Sequence, residues 1–152
     1  MGSGARLPPM PLNLIFPHLA DEGYVETSPA TPSYNCIAWA AGQTDAWWWP
    51  SSMDVHYWPE GVPREETLEA FTLAFASLGF VPSECGDLEP GFEKVALYAR
   101  DGKPTHAARQ QADGAWTSKL GEWLDITHTL RGLEGPFYGR VAVFLKRALP
   151  AG

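Results

Sequence analysis

Apolar side chains recur at helical spacing over residues 64–78. The positions three or four residues apart are Leu68, Phe71, Ala74, Phe75 and Leu78. Glutamates cluster near the N-terminal end of this stretch, where the helix dipole stabilises negative charge. Gly79 follows the last turn, and glycine readily adopts the left-handed conformation that often ends a helix. The pattern therefore predicts an amphipathic helix over 64–78.

After this helix the pattern changes to that of strands, predicted over residues 94–100, 105–111, 116–120 and 139–147. Asp101-Gly102 and Asp113-Gly114 are turn signals between consecutive strands. Helices followed by an antiparallel sheet indicate an α+β fold. A two-residue turn at 113–114 would pair position 106 with 121, which places Lys119 on the face of His106 and Ser118 on the other face.

The first third of the chain is rich in proline and aromatic residues, which favours extended segments and turns, with residues 1–30 as an extended N-terminal segment. A short helix is predicted from Cys36 to about Gly42. Pro32 precedes it, and Ser33 and Asn35 are candidate N-caps.

Composition narrows the class of protein. A chain of 152 residues, 45% of them apolar, suits one domain over residues 1–152 with its own core. The net charge of −7 argues against nucleic acid and anionic membranes as partners, because both are bound by clustered basic residues. The sequence contains no apolar run long enough to predict a membrane span, and no apolar signal segment is found after Met1. We expect a cytoplasmic protein, unless it is exported as a toxin or effector without an N-terminal signal.

Cys36 and His106 are the candidate chemical pair. A thiol at the start of a helix has its pKa lowered by the helix dipole, and a neighbouring imidazole can hold the thiolate as an ion pair. Cys36 opens the predicted short helix, and His106 follows some seventy residues later on a predicted strand. Together they have the parts of a cysteine nucleophile and its base.

This order resembles the minimal papain-like core, especially the small NlpC/P60 and CHAP amidases, whose cysteine-bearing helix start is similar to YNCIAWA at residues 34–40. YNCIAWA, WWWP, THAARQ, WTSKLG and YGRV together also resemble a family of small uncharacterised bacterial proteins, over roughly residues 30–147. The resemblance implies a single papain-like domain. In it, the nucleophile-bearing helix and a second helix would pack on a four- to five-stranded antiparallel sheet.

The resemblance implies catalytic roles for three residues. Cys36 would be the nucleophile, and His106 would take its proton and later protonate the leaving group. Glu122 and Asp125 both lie at a separation from His106 similar to that in CHAP enzymes, and Asp125 is the one chosen to orient the imidazole. A Cys/His pair without a third member remains open, because a thiol needs less activation than a hydroxyl.

Four further residues are candidates for binding. The backbone N–H of Cys36 would supply one oxyanion donor, and the side chain of Asn35 or Tyr34 another. Lys119 is the candidate for a substrate carboxylate and is preferred over Arg109, which points to the opposite face in the register of the two-residue turn. Trp48, with the other tryptophans of this region, would wall a substrate cleft or pack an irregular segment of the core.

The sequence thus predicts a thiol-dependent hydrolase or acyl transferase that acts on an amide, isopeptide or thioester bond of a protein, peptide or small amide. It would use no cofactor and be a monomer or weak oligomer. The alternative is a non-catalytic protein-binding module, in which Trp47 to Trp49 and Trp58 form a recognition surface.

Two other readings of the cysteines are weaker. His56 and His128 with Cys36 or Cys85 lack the spacing of zinc ligands, so no metal site is predicted. A Cys36–Cys85 disulfide would give a purely structural role.

Overall fold

The computed structural model describes residues 12–51 and 55–150. Its main element is a seven-stranded sheet in which every neighbouring pair of strands is antiparallel. The strands are, in chain order, β1 Tyr24–Ser28, β2 Val81–Ser83, β3 Phe92–Arg100, β4 Lys103–Gln110, β5 Trp116–Lys119, β6 Asp125–His128 and β7 Arg140–Ala148. They are arranged across the sheet in the order β1-β6-β5-β4-β3-β7-β2.

The helices are few and short. They are α1 Leu12–Ile15, α2 Leu19–Glu22, α3 Cys36–Ala40 and α4 Leu68–Ala76, with a 3-10 turn at Arg131–Leu133. The longest of them, α4, has nine residues and begins after Thr67, whose side chain accepts a hydrogen bond from the Ala70 N–H. This cap makes the helix shorter than the 64–78 that the apolar spacing predicts. No helix in the described ranges is long and apolar enough to cross a membrane.

The predicted papain-like fold class is wrong. The chain forms a sheet-rich fold of seven strands, not two helices packed on four or five strands. The four predicted strands do form, as β3, β4, β5 and β7. The sheet is wider because β1, β2 and β6 are added to it, two of them as its edges.

Both faces of the sheet are covered by apolar side chains. On one face, α3 and α4 pack with Val95, Leu97, Ala107 and Leu145. On the other, residues of α1, α2 and the 3-10 turn pack with Ala96, Tyr98, Ala108 and Ile126. We call these the α3 face and the α1 face. Because successive side chains of a strand point to opposite faces, each position of β4 and β5 belongs to one of them.

Two hairpin turns determine to which face each side chain of β4 and β5 points. Asp101 and Gly102 both have positive φ, and Arg100 pairs with Lys103, so the first turn has two residues, as predicted. The second turn has three, residues 112–114, because the Gln111 N–H donates to the Ala115 carbonyl. The predicted pairing of 106 with 121 is therefore wrong by one residue, since Arg109 pairs with Thr117. A one-residue slip exchanges the two faces for every side chain of β5.

Candidate functional site

Cys36 lies at the start of α3, inside a cavity of about 380 Å³. The preceding residue, Asn35, has extended backbone dihedrals, and its side chain accepts a hydrogen bond from the Ala38 N–H at 3.2 Å. This cap starts the helix at Cys36, as the sequence predicts. The thiol is nearly buried, with 6% of the residue exposed.

Asn35 also fixes the tryptophan segment beside the helix. Its Nδ2 donates to the Trp48 carbonyl at 2.7 Å, and its Oδ1 accepts from the Trp48 N–H at 3.1 Å. The buried amide thus joins two segments of backbone and has both acceptor positions of its oxygen in use. The oxyanion role that the sequence suggests for Asn35 gains no support from these contacts.

Aromatic side chains from three segments form the walls of this cavity, which we call the aromatic cleft. They are Trp47, Trp49, Trp123, Phe137 and Tyr138. Phe137 is 44% exposed, and the three tryptophans are half-buried. Trp48 and Trp58, by contrast, are buried in the core on the α3 face. Only part of the predicted tryptophan surface therefore reaches the cleft.

Burial controls the chemistry of the Cys36 thiol. It raises the pKa of Cys36 to about 11, although the backbone N–H groups of Ala107, Ile37 and Cys36 and the charge of Lys119 act in the opposite direction. The thiol is therefore protonated at neutral pH and is not an activated nucleophile in this conformation. Cys36 and Cys85 are both free cysteines, with Cys85 exposed, so no disulfide joins them.

His106 points to the α1 face, away from the face that carries α3. It pairs with Tyr98 of β3, while its neighbour Ala107 packs in the same cluster as Cys36. Its ring stacks on Tyr138 at 4.1 Å between centroids. The structure thus does not bring Cys36 and His106 together on one face, and neither ring nitrogen of His106 bonds to the thiol. The catalytic pairing stays a prediction, without support from this geometry.

His106 is instead the end of a buried hydrogen-bonded chain. His106 Nε2 lies 2.8 Å from Ser118 Oγ, which lies 2.7 Å from His128 Nε2. His128 Nδ1 is 2.6 Å from the Thr129 carbonyl, which can only accept, so this nitrogen carries the proton. With neutral rings, Ser118 donates to His128 and His106 donates to Ser118.

This assignment leaves His106 Nδ1 as a buried acceptor with no partner in the described part of the chain. Both imidazoles are kept neutral by their surroundings. Burial lowers the pKa of His128 to about 4 and that of His106 well below its usual value. No sequence signal indicates this hydrogen-bonded chain, because it forms only with the three-residue turn.

Asp125 lies on the α3 face, opposite Lys119 of the neighbouring strand. Its Oδ2 accepts from the Tyr34 hydroxyl at 3.0 Å, and its Oδ1 is buried with no partner among the described residues. Burial raises the pKa of Asp125, while the bond from Tyr34 lowers it. Asp125 therefore contacts Tyr34 and does not orient His106.

Lys119 is fully buried at the same place. Its Nζ donates to the Thr31 carbonyl at 2.6 Å and to the Gly121 carbonyl, and it lies 5.0 Å from the centre of the Tyr34 ring. Burial lowers its pKa, while Asp125 and Cys36 act to raise it. With its donors directed at backbone carbonyls, Lys119 is a structural cation here.

The structure therefore brings Cys36, Tyr34, Asn35, Lys119 and Asp125 to one face and leaves His106 on the other. The sequence pattern does not single out Trp123, Phe137 and Tyr138, which lie in a bend or a turn outside the strands and carry no periodic signal. Within the described ranges, no group of three or more His, Cys, Asp or Glu side chains could hold a metal ion.

Comparisons with curated proteins and with solved structures find no match. A family model does match, over residues 25–146, which include all seven strands except the first residue of β1 and the last two of β7. The chain therefore belongs to the DUF7689 family, a domain of unknown function.

Proposed function

We propose that this protein is a non-catalytic binding module whose aromatic cleft receives an apolar side chain of a protein or peptide partner. The observation that carries the proposal is the lining of the cleft by half-buried Trp47, Trp49 and Trp123 and by exposed Phe137. Aromatic side chains offer large rigid contact surfaces with little loss of conformational entropy, and are therefore enriched at binding sites.

The size of the cleft suits such a ligand. Its volume of about 380 Å³ lies at the small end of ligand pockets. A large aromatic side chain buries about 150–250 Å². At about 25 cal/mol per Å², this corresponds to a gain on the order of 4–6 kcal/mol before the entropy cost of association. One side chain of a partner would therefore bind weakly alone and would anchor a larger contact.

The polar groups near the cleft support binding over catalysis. The Cys36 thiol has its pKa raised to about 11, and the Asn35 amide is bonded to Trp48. His106 faces the other side of the sheet. The groups that a thiol mechanism needs are thus either protonated, engaged in backbone hydrogen bonds or turned away.

The test is an NMR titration of the ¹⁵N-labelled protein with N-acetyl-phenylalaninamide, a neutral probe with one aromatic side chain. We expect saturable shifts of the indole N–H signals of Trp47, Trp49 and Trp123. Phe137→Ala should weaken binding several-fold. The matched control is Leu73→Ala, because Leu73 is 50% exposed on α4 and does not line the cleft. No saturable shift, or equal weakening by both substitutions, would contradict the proposal.

A second proposal is the thiol enzyme that the sequence predicts, and one observation favours it: Cys36 opens into the cleft at the start of α3. His56 lines the same cleft and is the histidine placed to act as base there. In this mechanism His56 takes the thiol proton and Cys36 Sγ attacks the carbonyl carbon of p-nitrophenyl acetate. The bond from this carbon to the phenolic oxygen breaks, p-nitrophenolate leaves, and the acetyl group stays on Sγ. An acetyl adduct on Cys36, absent in Cys36→Ala, would support it, and the absence of an adduct would exclude it for this ester.

A further inference from the structure

A second cavity, of about 400 Å³, shares no lining residue with the aromatic cleft. Trp39 of α3, Arg109 of β4 and Thr117 of β5 line it on the α3 face, with apolar surface from Phe92 and Leu149. The residues of this cavity have no role in the binding proposed above.

Arg109 is held over an indole ring that is itself fixed. The Trp39 Nε1 donates to Thr117 Oγ1 at 3.0 Å, and the same hydroxyl donates to the Arg109 carbonyl at 3.1 Å. The Arg109 guanidinium carbon lies 5.2 Å from the centre of the Trp39 ring, within the range of a cation–π contact. These two hydrogen bonds thus orient the Trp39 indole on which the guanidinium rests. Because the guanidinium is already positioned, less conformational entropy is lost when Arg109 binds a ligand.

The positive charge of Arg109 has no anionic partner among the described residues. Within the described ranges its guanidinium makes no hydrogen bond or ion pair. Glu93, which also lines the cavity, pairs instead with Arg147 at 3.1 Å. A guanidinium has five N–H donors in a planar fork that fits a carboxylate. In a chain of net charge −7, Arg109 is therefore a local positive charge at the wall of this cavity.

We infer that Arg109, supported by Trp39, binds an organic carboxylate, and that an apolar group next to this carboxylate packs against Phe92 and Leu149. The planar fork of one arginine matches the two oxygens of a carboxylate. The negative charge of the whole chain disfavours anions of higher charge, such as phosphate esters. The apolar lining selects a carboxylate attached to a hydrocarbon group over a small inorganic anion.

Two probes that differ only in the terminal group, a carboxylate or a neutral amide, test this inference on the wild-type protein. They are N-acetyl-leucine, a carboxylate at neutral pH, and N-acetyl-leucinamide. The measurement is the ¹⁵N shift of the Trp39 indole, assigned with the Trp39→Phe variant. We expect saturable shifts with the carboxylate and at least tenfold weaker binding of the amide. Equal binding of the two probes would overturn the inference, as would the absence of a saturable shift with either.

Variants then locate the charge that is responsible. Arg109→Gln should weaken carboxylate binding at least tenfold, while Arg109→Lys should weaken it less, because it keeps a point charge without the fork. The matched control is Arg140→Gln, which removes one exposed positive charge that does not line the cavity. Equal losses for Arg109→Gln and Arg140→Gln would overturn the inference. Phe137→Ala, which weakens binding to the aromatic cleft, should leave carboxylate binding unchanged, so the two sites fail or succeed separately.

Discussion

Replacing Asn35 with alanine tests how the aromatic cleft is built. The side chain of Asn35 makes three hydrogen bonds to backbone groups: one to the first turn of α3 and two to Trp48. Trp48 lies between Trp47 and Trp49, which wall the cleft. The substitution therefore removes a helix cap and releases the tryptophan segment at the same time.

The magnitude follows from these bonds. Loss of an Asn cap costs about 1 kcal/mol. The N–H and C=O of Trp48 lose their partner at a buried position, and each unpaired buried group costs about 1–3 kcal/mol. We therefore expect Asn35→Ala to lower the free energy of unfolding by about 3–7 kcal/mol. This is a large part of the stability of a typical domain, about 5–15 kcal/mol.

The assay is urea denaturation followed by far-UV circular dichroism. Thr67→Ala is the matched control, because Thr67 caps α4 through the single bond from Ala70 N–H and should cost about 1 kcal/mol. The expected difference between the two variants comes from Trp48. If Asn35→Ala costs no more than Thr67→Ala, the two bonds to Trp48 do not hold the segment and the reasoning is refuted.

Three further substitutions or conditions have defined outcomes. Because the pKa of His128 is lowered to about 4 and that of His106 is also lowered, these two side chains bind fewer protons in the folded protein than in the unfolded chain below pH 6.5. The free energy of unfolding should therefore fall from about pH 6.5 towards pH 4. His128 alone accounts for a loss of about 2 kcal/mol at pH 5, and His106 adds to the loss in the same direction. Unchanged urea midpoints between pH 7 and pH 5 would contradict this. Ser118→Ala leaves two buried imidazole edges unpaired and should cost about 2–4 kcal/mol in the same assay, and a loss below about 1 kcal/mol would argue against the chain. Gly139→Ala should lower the free energy of unfolding by more than about 3 kcal/mol, because its Cβ would meet the backbone of β3. Gly102→Ala, at a similar positive φ but with open space around it, should cost only about 1 kcal/mol. Equal thermal midpoints of the two variants would contradict this.

The three long strands and the short β5 were predictable from sequence, whereas the short strands β1, β2 and β6 were not. β3 and β7 have nine residues each and β4 has eight, which is enough for a clear strand pattern between turns. β2 has three residues, one of them Pro82, and β1 is mostly exposed, so neither shows the alternation of a half-buried strand. The papain-like prediction was wrong because β1, β2 and β6 extend the predicted sheet to seven strands.

The candidate site depended on register, which the sequence left undetermined. The signal Asp113-Gly114 is compatible with a turn of two or three residues, and this choice decides whether Ser118 or Lys119 shares a face with His106. The prediction of Cys36 at a helix start was confirmed, because the Asn35 cap is a local feature. The relation between Cys36 and His106 is a contact between distant segments, and no local pattern encodes it.

The ionisation of the Cys36 thiol tests most directly whether this cleft binds or catalyses. The measurement is the rate of iodoacetamide alkylation of Cys36 between pH 6 and 10, read by peptide mass spectrometry with exposed Cys85 as a reference for the reagent. Our account predicts slow modification that is still rising at pH 10, as expected for a pKa near 11, with the same profile in His106→Gln. Rapid modification with a midpoint below pH 8 in the wild-type protein would contradict it, and its loss in His106→Gln would restore the Cys36–His106 pair.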